Sequence, residues 1–141
     1  MIADFDTSAI VPLIVDEPTT ETCNRLWNEA TRVVCVRLIY PESRAALARA
    51  ERLGRLTPLQ LREAVAERES IIDEIDLVEI GPDLARDAGD LAEHFGLRGY
   101  DAVHLAAALA VNDDDVVLVT GDRELATAAR AAGLATTLTE I

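Results

Sequence analysis

Residues 114–133 read DDVVLVTGDRELATAARAAG. From Val116 the run is apolar and β-branched, which suits a buried strand over 114–120. After Gly121 comes DRELATAARAAG (122–133), an alanine-rich helix stopped by Gly133. A buried strand that passes within two residues into a helix is the repeating unit of a parallel α/β sheet, because parallel strands need a crossover between them.

The same alternation runs outward in both directions. LATTL (134–138) is a last short strand. Upstream, IADF (2–5) is a strand that ends in DTS, with Thr7 or Ser8 placed to cap a helix reaching about Val15. A second helix covers 18–30, opening after Pro18. RVVCV (32–36) is a buried strand. A helix runs from Pro41 to Leu53 and stops at Gly54, and another runs from Pro58 to about residue 75. DLVEI (76–80) is a strand, Gly81-Pro82 breaks the chain, and 83–95 is helical up to Gly96. Then comes LRGYDAVHLAAALA (97–110), apolar and helical from Ala102, with an acid and an imidazole at its mouth. Strands alternating with helices predict a central parallel sheet between helical layers.

The 141 residues are half hydrophobic, the length and composition of one compact domain. No apolar run approaches the ~18–20 residues of a membrane span. MIADFD carries an acid where an export signal would be basic, so a cytoplasmic setting is expected. Cys23 and Cys35 form no CxxC pair and read as reduced core residues. Twenty-six acids face thirteen bases, all arginine, for a formal charge of −13. Such a surface repels nucleic acid at long range. A solvated acidic shell and acids concentrated at a metal site both fit this charge, and composition does not separate them.

Ligands of open parallel sheets bind off the carboxyl ends of the strands. Asp6 ends the first strand, Glu42 opens the helix after the second, Asp101 opens the helix of 97–110, and Asp122 follows the strand that ends at Thr120. Any one of these acids complements a helix dipole. Four at such junctions, each beside buried sequence, suggest converging carboxylates and hence Mg²⁺ or Mn²⁺ held by oxygen.

Two families share features with these motifs. DFDTS (4–8) resembles the DxDxT loop of haloacid-dehalogenase phosphatases, in which the first Asp is a nucleophile. Against it, the chain has no Lys to balance a phosphate, its late motif reads DRELATA without a second Asp, and no room remains for a cap. The second resemblance covers nearly the whole chain. DTSAI (6–10), YPESRAAL (40–47), YDAVHLA (100–106) and TGDREL (120–125) resemble, in order and helix context, the motifs of PIN-domain ribonucleases of the VapC toxin type.

That resemblance implies a three-layer α/β/α PIN-like domain over residues 1–141, with a mainly parallel sheet of about five short strands. It implies a toxin that cleaves RNA phosphodiester bonds by metal-activated water, leaving 5′-phosphate and 3′-hydroxyl ends. Asp6, Glu42, Asp101 and Asp122 are its catalytic and metal residues, and Mg²⁺ or Mn²⁺ its cofactor. Ser8 and Thr120 are supporting hydroxyls, though Ser8 fits a helix cap equally. A VapB-type antitoxin, an RNA substrate and a homodimer are its partners. A catalytically inactive, protein-binding PIN domain is the third alternative, and the presence of all four acids argues against it.

Three further residues carry expectations. His104 shares a helix face with Asp101 and reads as a partner of the site acids or a satisfied core residue. Asp4 lies on the same side of its strand as Asp6 and reads as an exposed strand-start acid. Arg49, two turns beyond Glu42, is placed to reach a flanking phosphate. The same arginine and its neighbours in 37–68 fit surface pairs with Glu51, Glu63, Glu67 and Glu69 as well.

Overall fold

The strand at residues 116–120 hydrogen-bonds on both sides, and the rest of the sheet grows outward from it and its neighbour. A computed structural model describes residues 1–140 of the chain. Its strands are β1 (Ile2–Phe5), β2 (Arg32–Val36), β3 (Asp76–Val78), β4 (Val116–Thr120) and β5 (Ala135–Leu138). Its helices are α1 (Thr7–Ile10), α2 (Thr20–Glu29), α3 (Ile39–Arg52), α4 (Pro58–Asp73), α5 (Pro82–Phe95), α6 (Gly99–Ala110) and α7 (Arg123–Ala131). The strands form one sheet in the order β3-β2-β1-β4-β5. Every pairing is parallel, as expected for strands joined by helical crossovers.

Local chemistry sets the ends. Thr57 and Gln60 form a reciprocal capping box ahead of α4, and Pro58 takes a first-turn position where no amide is needed. Gly96 ends α5 at φ 67°, a left-handed conformation that glycine adopts without strain. Several boundaries differ from the spacing. The first helix is a single turn, followed by a 3-10 turn at Val11–Leu13, because Pro12 has no amide to continue an α-helix. Helix α3 starts at Ile39 rather than Pro41; a third-position proline is tolerated because the first four helical amides have no intrahelical acceptor. Strand β3 keeps three residues of the expected five.

The sheet is covered on both faces. Phe5, Cys35 and Val119 turn one way, into a core with Cys23 and Leu26 of α2, Ile39 of α3 and Ile72 of α4. Trp27 meets Phe5 edge to face at 5.7 Å. Leu118 turns the other way, into a core with Leu97, Ala102, Leu105, Leu125 and Ala128. The buried faces of α5, α6 and α7 build this second layer. Each large apolar side chain buried in this way contributes roughly 1.5–3 kcal/mol relative to exposure.

From β1 the chain moves to β2 and β3 on one side, and β4 and β5 lie on the other. The connections therefore diverge between β1 and β4. In such sheets a crevice opens at this point, beyond the carboxyl ends of the two strands.

Candidate functional site

Asp6 stands at that crevice. Its amide continues the β1–β4 ladder to the Val119 carbonyl at 3.0 Å. Its carboxylate Oδ2 accepts from Ser8 Oγ at 2.6 Å and Thr120 Oγ1 at 2.8 Å. The two hydroxyls then receive backbone amides of the next loop: Gly121 N–H donates to Ser8 Oγ at 2.8 Å and Asp122 N–H to Thr120 Oγ1 at 3.0 Å. Ser8 thus braces Asp6 against the β4–α7 loop and does not cap α1. The close approach favours glycine: a Cβ on Gly121 would lie 3.3 Å from Thr139 Oγ1 and 3.4 Å from Ser8 Oγ.

Glu42 enters from the first turn of α3. Its Oε1 accepts from Thr7 Oγ1 at 2.9 Å and lies 2.6 Å from His104 Nε2. The same nitrogen is 3.5 Å from Asp6 Oδ1. His104 is wholly buried on α6 and joins two of the site acids, while its Nδ1 has no hydrogen-bond partner among the described residues. Burial pulls its pKa down, but the Glu42 hydrogen bond and the Asp6, Glu42 and Asp4 charges outweigh burial and leave it raised. The imidazole is therefore poised to carry positive charge among acids.

Asp4 corrects the expectation of an exposed acid. It is fully buried, and neither carboxylate oxygen has a hydrogen-bond partner among the described residues. The reason is its place in the central strand, where it lies level with Val34 on β2 and Leu118 on β4. Burial, aided by the Asp6 charge and opposed by His104, lifts its pKa from 3.8 to about 7.

Asp101 and Asp122 form the outer half of the site. Asp101 lies in the first turn of α6. Asp122 caps α7, its Oδ1 accepting from Leu125 N–H at 3.0 Å. Arg98, the residue ahead of α6, spans both: its Nε is 3.2 Å from Asp101 Oδ2 and its Nη2 is 3.3 Å from Asp122 Oδ2. Burial and then the Asp122 charge raise the Asp101 pKa, with the Arg98 hydrogen bond opposing them.

One bonded network therefore connects the four acids, through Thr120, His104 and Arg98. Arg49 stays outside it. Its side chain is exposed and joins no ion pair among the described residues, about 10 Å along α3 from Glu42 by helical rise. Of the surface pairs expected in 37–68 one forms, Arg68 Nη1 with Glu69 Oε1 at 2.7 Å, while Arg37 pairs instead with Glu79 and Arg55 with Glu17. Arg68 is buried, its Nε on Ser43 Oγ at 2.7 Å and its Nη2 on the Tyr40 carbonyl at 2.9 Å, and so fastens α4 to the start of α3. Arg98 escaped the sequence reading, and Thr7, read there as a helix cap, caps nothing and donates to Glu42 instead. Arg98 was detectable as an acid–base pair three residues from Asp101 at a helix start.

The donor set suits a hard divalent ion. It is all oxygen, and Asp6 Oδ1, Glu42 Oε2 and Asp101 Oδ1 accept no hydrogen bond of normal length among the described residues. No three such side chains, among those described, converge closely enough to enclose an ion by themselves.

Comparison with known proteins gives a consistent result. The PIN domain family model matches residues 5–131. Ribonuclease VapC45 of Mycobacterium tuberculosis is 43% identical over 129 residues, 92% of this chain and 90% of that one. The fold matches PAE2754 of Pyrobaculum aerophilum with TM-score 0.72 at 23% identity, over 96% of this chain and 83% of that one. It also matches a chain of DNA-bound VapBC of Salmonella typhimurium with TM-score 0.66 at 16% identity, over 99% of both. A family model spanning most of the chain and a relative of this identity and coverage leave one conclusion: the chain belongs to the PIN-domain family, among its VapC-type members.

Proposed function

We propose that the chain is a metal-dependent endoribonuclease, the toxin of a VapBC-type pair. One observation carries this reading: Asp6, Glu42, Asp101 and Asp122 are linked by one network of hydrogen bonds and ion pairs at the divergence of β1 and β4. The named relative is a ribonuclease. Four acids without a metal would only repel a phosphodiester. A bound Mg²⁺ or Mn²⁺ supplies charge neutralisation at the phosphate and a more acidic attacking water. Asp6 and Asp101, with Glu42 and Asp122, would hold it. Ser8 and Thr120 fix the Asp6 rotamer by occupying Oδ2, which leaves Oδ1 turned to the site. His104 and Thr7 hold Glu42 by Oε1 and leave Oε2 free. Arg49 lies on the face from which an RNA strand would continue.

The partner in this reading is a VapB-type antitoxin, in keeping with the fold shared with the VapBC complex. The toxin acts as a homodimer in the cytoplasm. No described helix is long and apolar enough to cross a membrane. The phosphatase alternative fails on Asp4, the nucleophile it requires, which is sealed in the sheet away from any substrate.

The test is cleavage of total RNA by the purified protein. EDTA stops it and Mn²⁺ or Mg²⁺ restores it, while Asp6→Asn and Asp101→Asn are inert yet fold. Undiminished cleavage in EDTA, or active variants, would refute the assignment.

A further inference from the structure

We propose that Arg98 is the phosphate-binding residue at the rim of this site, and that it competes with the divalent ion for Asp101 and Asp122. Ion loading then turns the guanidinium toward the RNA backbone. This rests on the metal-nuclease reading above and adds a substrate contact to it. Three observations carry it.

Arg98 is the one arginine among the described residues that pairs with any of the four site acids. In a chain of charge −13, a cation inside the acidic cluster is the feature that lets a phosphate approach. Its side chain is 76% exposed, whereas those of Asp101 and Asp122 are 16% and 25% exposed. The guanidinium therefore covers its carboxylates from the solvent side, the side from which a substrate arrives. Finally, it uses Nε and Nη2 on two different acids, and its Nη1 has no partner among the described residues. A planar fork with a spare edge can exchange carboxylate for phosphate, which presents the same paired oxygens.

The oxygens it holds, Asp101 Oδ2 and Asp122 Oδ2, belong to residues proposed to hold the ion. The guanidinium end of both pairs stands in solvent, which screens and weakens them, so an ion can displace it. The released group is tethered at the residue that precedes α6 and remains within reach of a phosphate at the site.

The experiment compares full-length wild type, Arg98→Gln, Arg98→Lys and Arg123→Gln. The last is a control arginine beside the site that pairs with Glu140. Calorimetric titration with Mn²⁺ alone should give Arg98→Gln an affinity about three- to tenfold tighter than wild type, since its competitor is gone. Arg123→Gln should stay within twofold of wild type. Binding of a labelled 12-nucleotide phosphorothioate RNA in Mn²⁺ should weaken at least fivefold in Arg98→Gln. The salt slope of that binding should fall by about 0.7, one phosphate contact on a single strand. Arg98→Lys, which keeps the charge but not the fork, should fall between. Equal Mn²⁺ affinities, an unchanged salt slope, or an Arg123→Gln effect as large as that of Arg98→Gln overturn the Arg98 proposal alone. Absence of Mn²⁺ binding in both wild type and Arg98→Gln overturns the metal reading and this proposal with it.

Discussion

Replacing Asp4 with asparagine should stabilise the protein at alkaline pH and leave it nearly unchanged at acid pH. Asp4 is buried without a hydrogen-bond donor, and its pKa rises from 3.8 to about 7. Between those values the folded state holds a proton that the unfolded state has lost, so stability falls as pH rises. The contribution is fully present below 3.8 and gone above about 7. Each unit is equivalent to 1.36 kcal/mol, so the two units between pH 5 and the folded pKa correspond to roughly 2.7 kcal/mol. Asparagine does not titrate. The stability difference, variant minus wild type, should therefore grow by about 2–3 kcal/mol between pH 5 and pH 8.5. At ~2–4 °C per kcal/mol this is a relative gain of about 5–10 °C in melting temperature. The asparagine amide still lacks partners, which costs about 1–3 kcal/mol at every pH, but the protonated carboxyl it replaces lacks them too. The assay is urea unfolding in EDTA at pH 5, 6, 7 and 8.5, followed by the fluorescence of Trp27, the single tryptophan. A pH-independent difference would refute the reasoning and show Asp4 ionised throughout, compensated by a charged His104.

Three other substitutions test the site. His104→Leu removes the donor to Glu42 and the neighbour of Asp6 and should destabilise by about 3 kcal/mol, the scale for stripping a partner from a buried charge pair; because the His104 pKa is raised, its stabilisation is lost as pH climbs through that value, so the deficit measured by urea unfolding should be larger at pH 6 than at pH 9. Asp101→Asn should melt at or above wild type in EDTA near neutral pH, since burial and Asp122 disfavour the Asp101 charge, and this advantage should vanish below pH 4; in Mn²⁺ at a hundredfold excess over Kd the wild type should gain roughly 2.7 kcal/mol and the variant less. Asp122→Asn keeps a good helix cap and should hold its melting temperature while losing RNA cleavage, whereas Asp122→Ala should lose cleavage and also about 1 kcal/mol of stability.

The fold was legible because β4 is a short apolar β-branched run that passes at once into α7, an alanine-rich helix stopped by Gly133, and the other elements repeat that alternation. Boundaries were legible at β1 and β2, whose apolar runs end where the strands end, and where a residue enforces them, as at Gly96 and Pro58. They were missed where proline is tolerated, as at Pro41 inside the first turn of α3. The positions of Asp6, Glu42, Asp101 and Asp122 at element junctions could be read from spacing, because a parallel sheet directs all such junctions to one edge. What spacing could not give was depth. A period-two strand says which side Asp4 faces, but not that α6 and two neighbouring strands seal that side. Nor could it show that His104 Nε2 lies 2.6 Å from Glu42, since that contact joins residues 62 apart in sequence. Arg98 was missed because composition treats its charge as one among thirteen.

Each site acid had two readings in the sequence, a helix-start acid that answers the macrodipole and a ligand of a metal. The structure shows why these need not compete. Asp122 uses Oδ1 for the Leu125 amide at the head of α7 and turns Oδ2 to Arg98 and the crevice. Asp101 and Glu42 lie in the first turns of α6 and α3, where unsatisfied amides supply about half a positive charge. Acids that repel one another across the crevice are thus each attracted by the helix they begin. The parallel sheet creates this arrangement, because it sends the amino ends of α3, α6 and α7 to the edge where β1 and β4 diverge. The helix starts, together with Arg98 and His104, thus offset part of the negative charge gathered there. The same geometry leaves the outward oxygens available, so the features that let the domain fold are those that equip it to hold an ion.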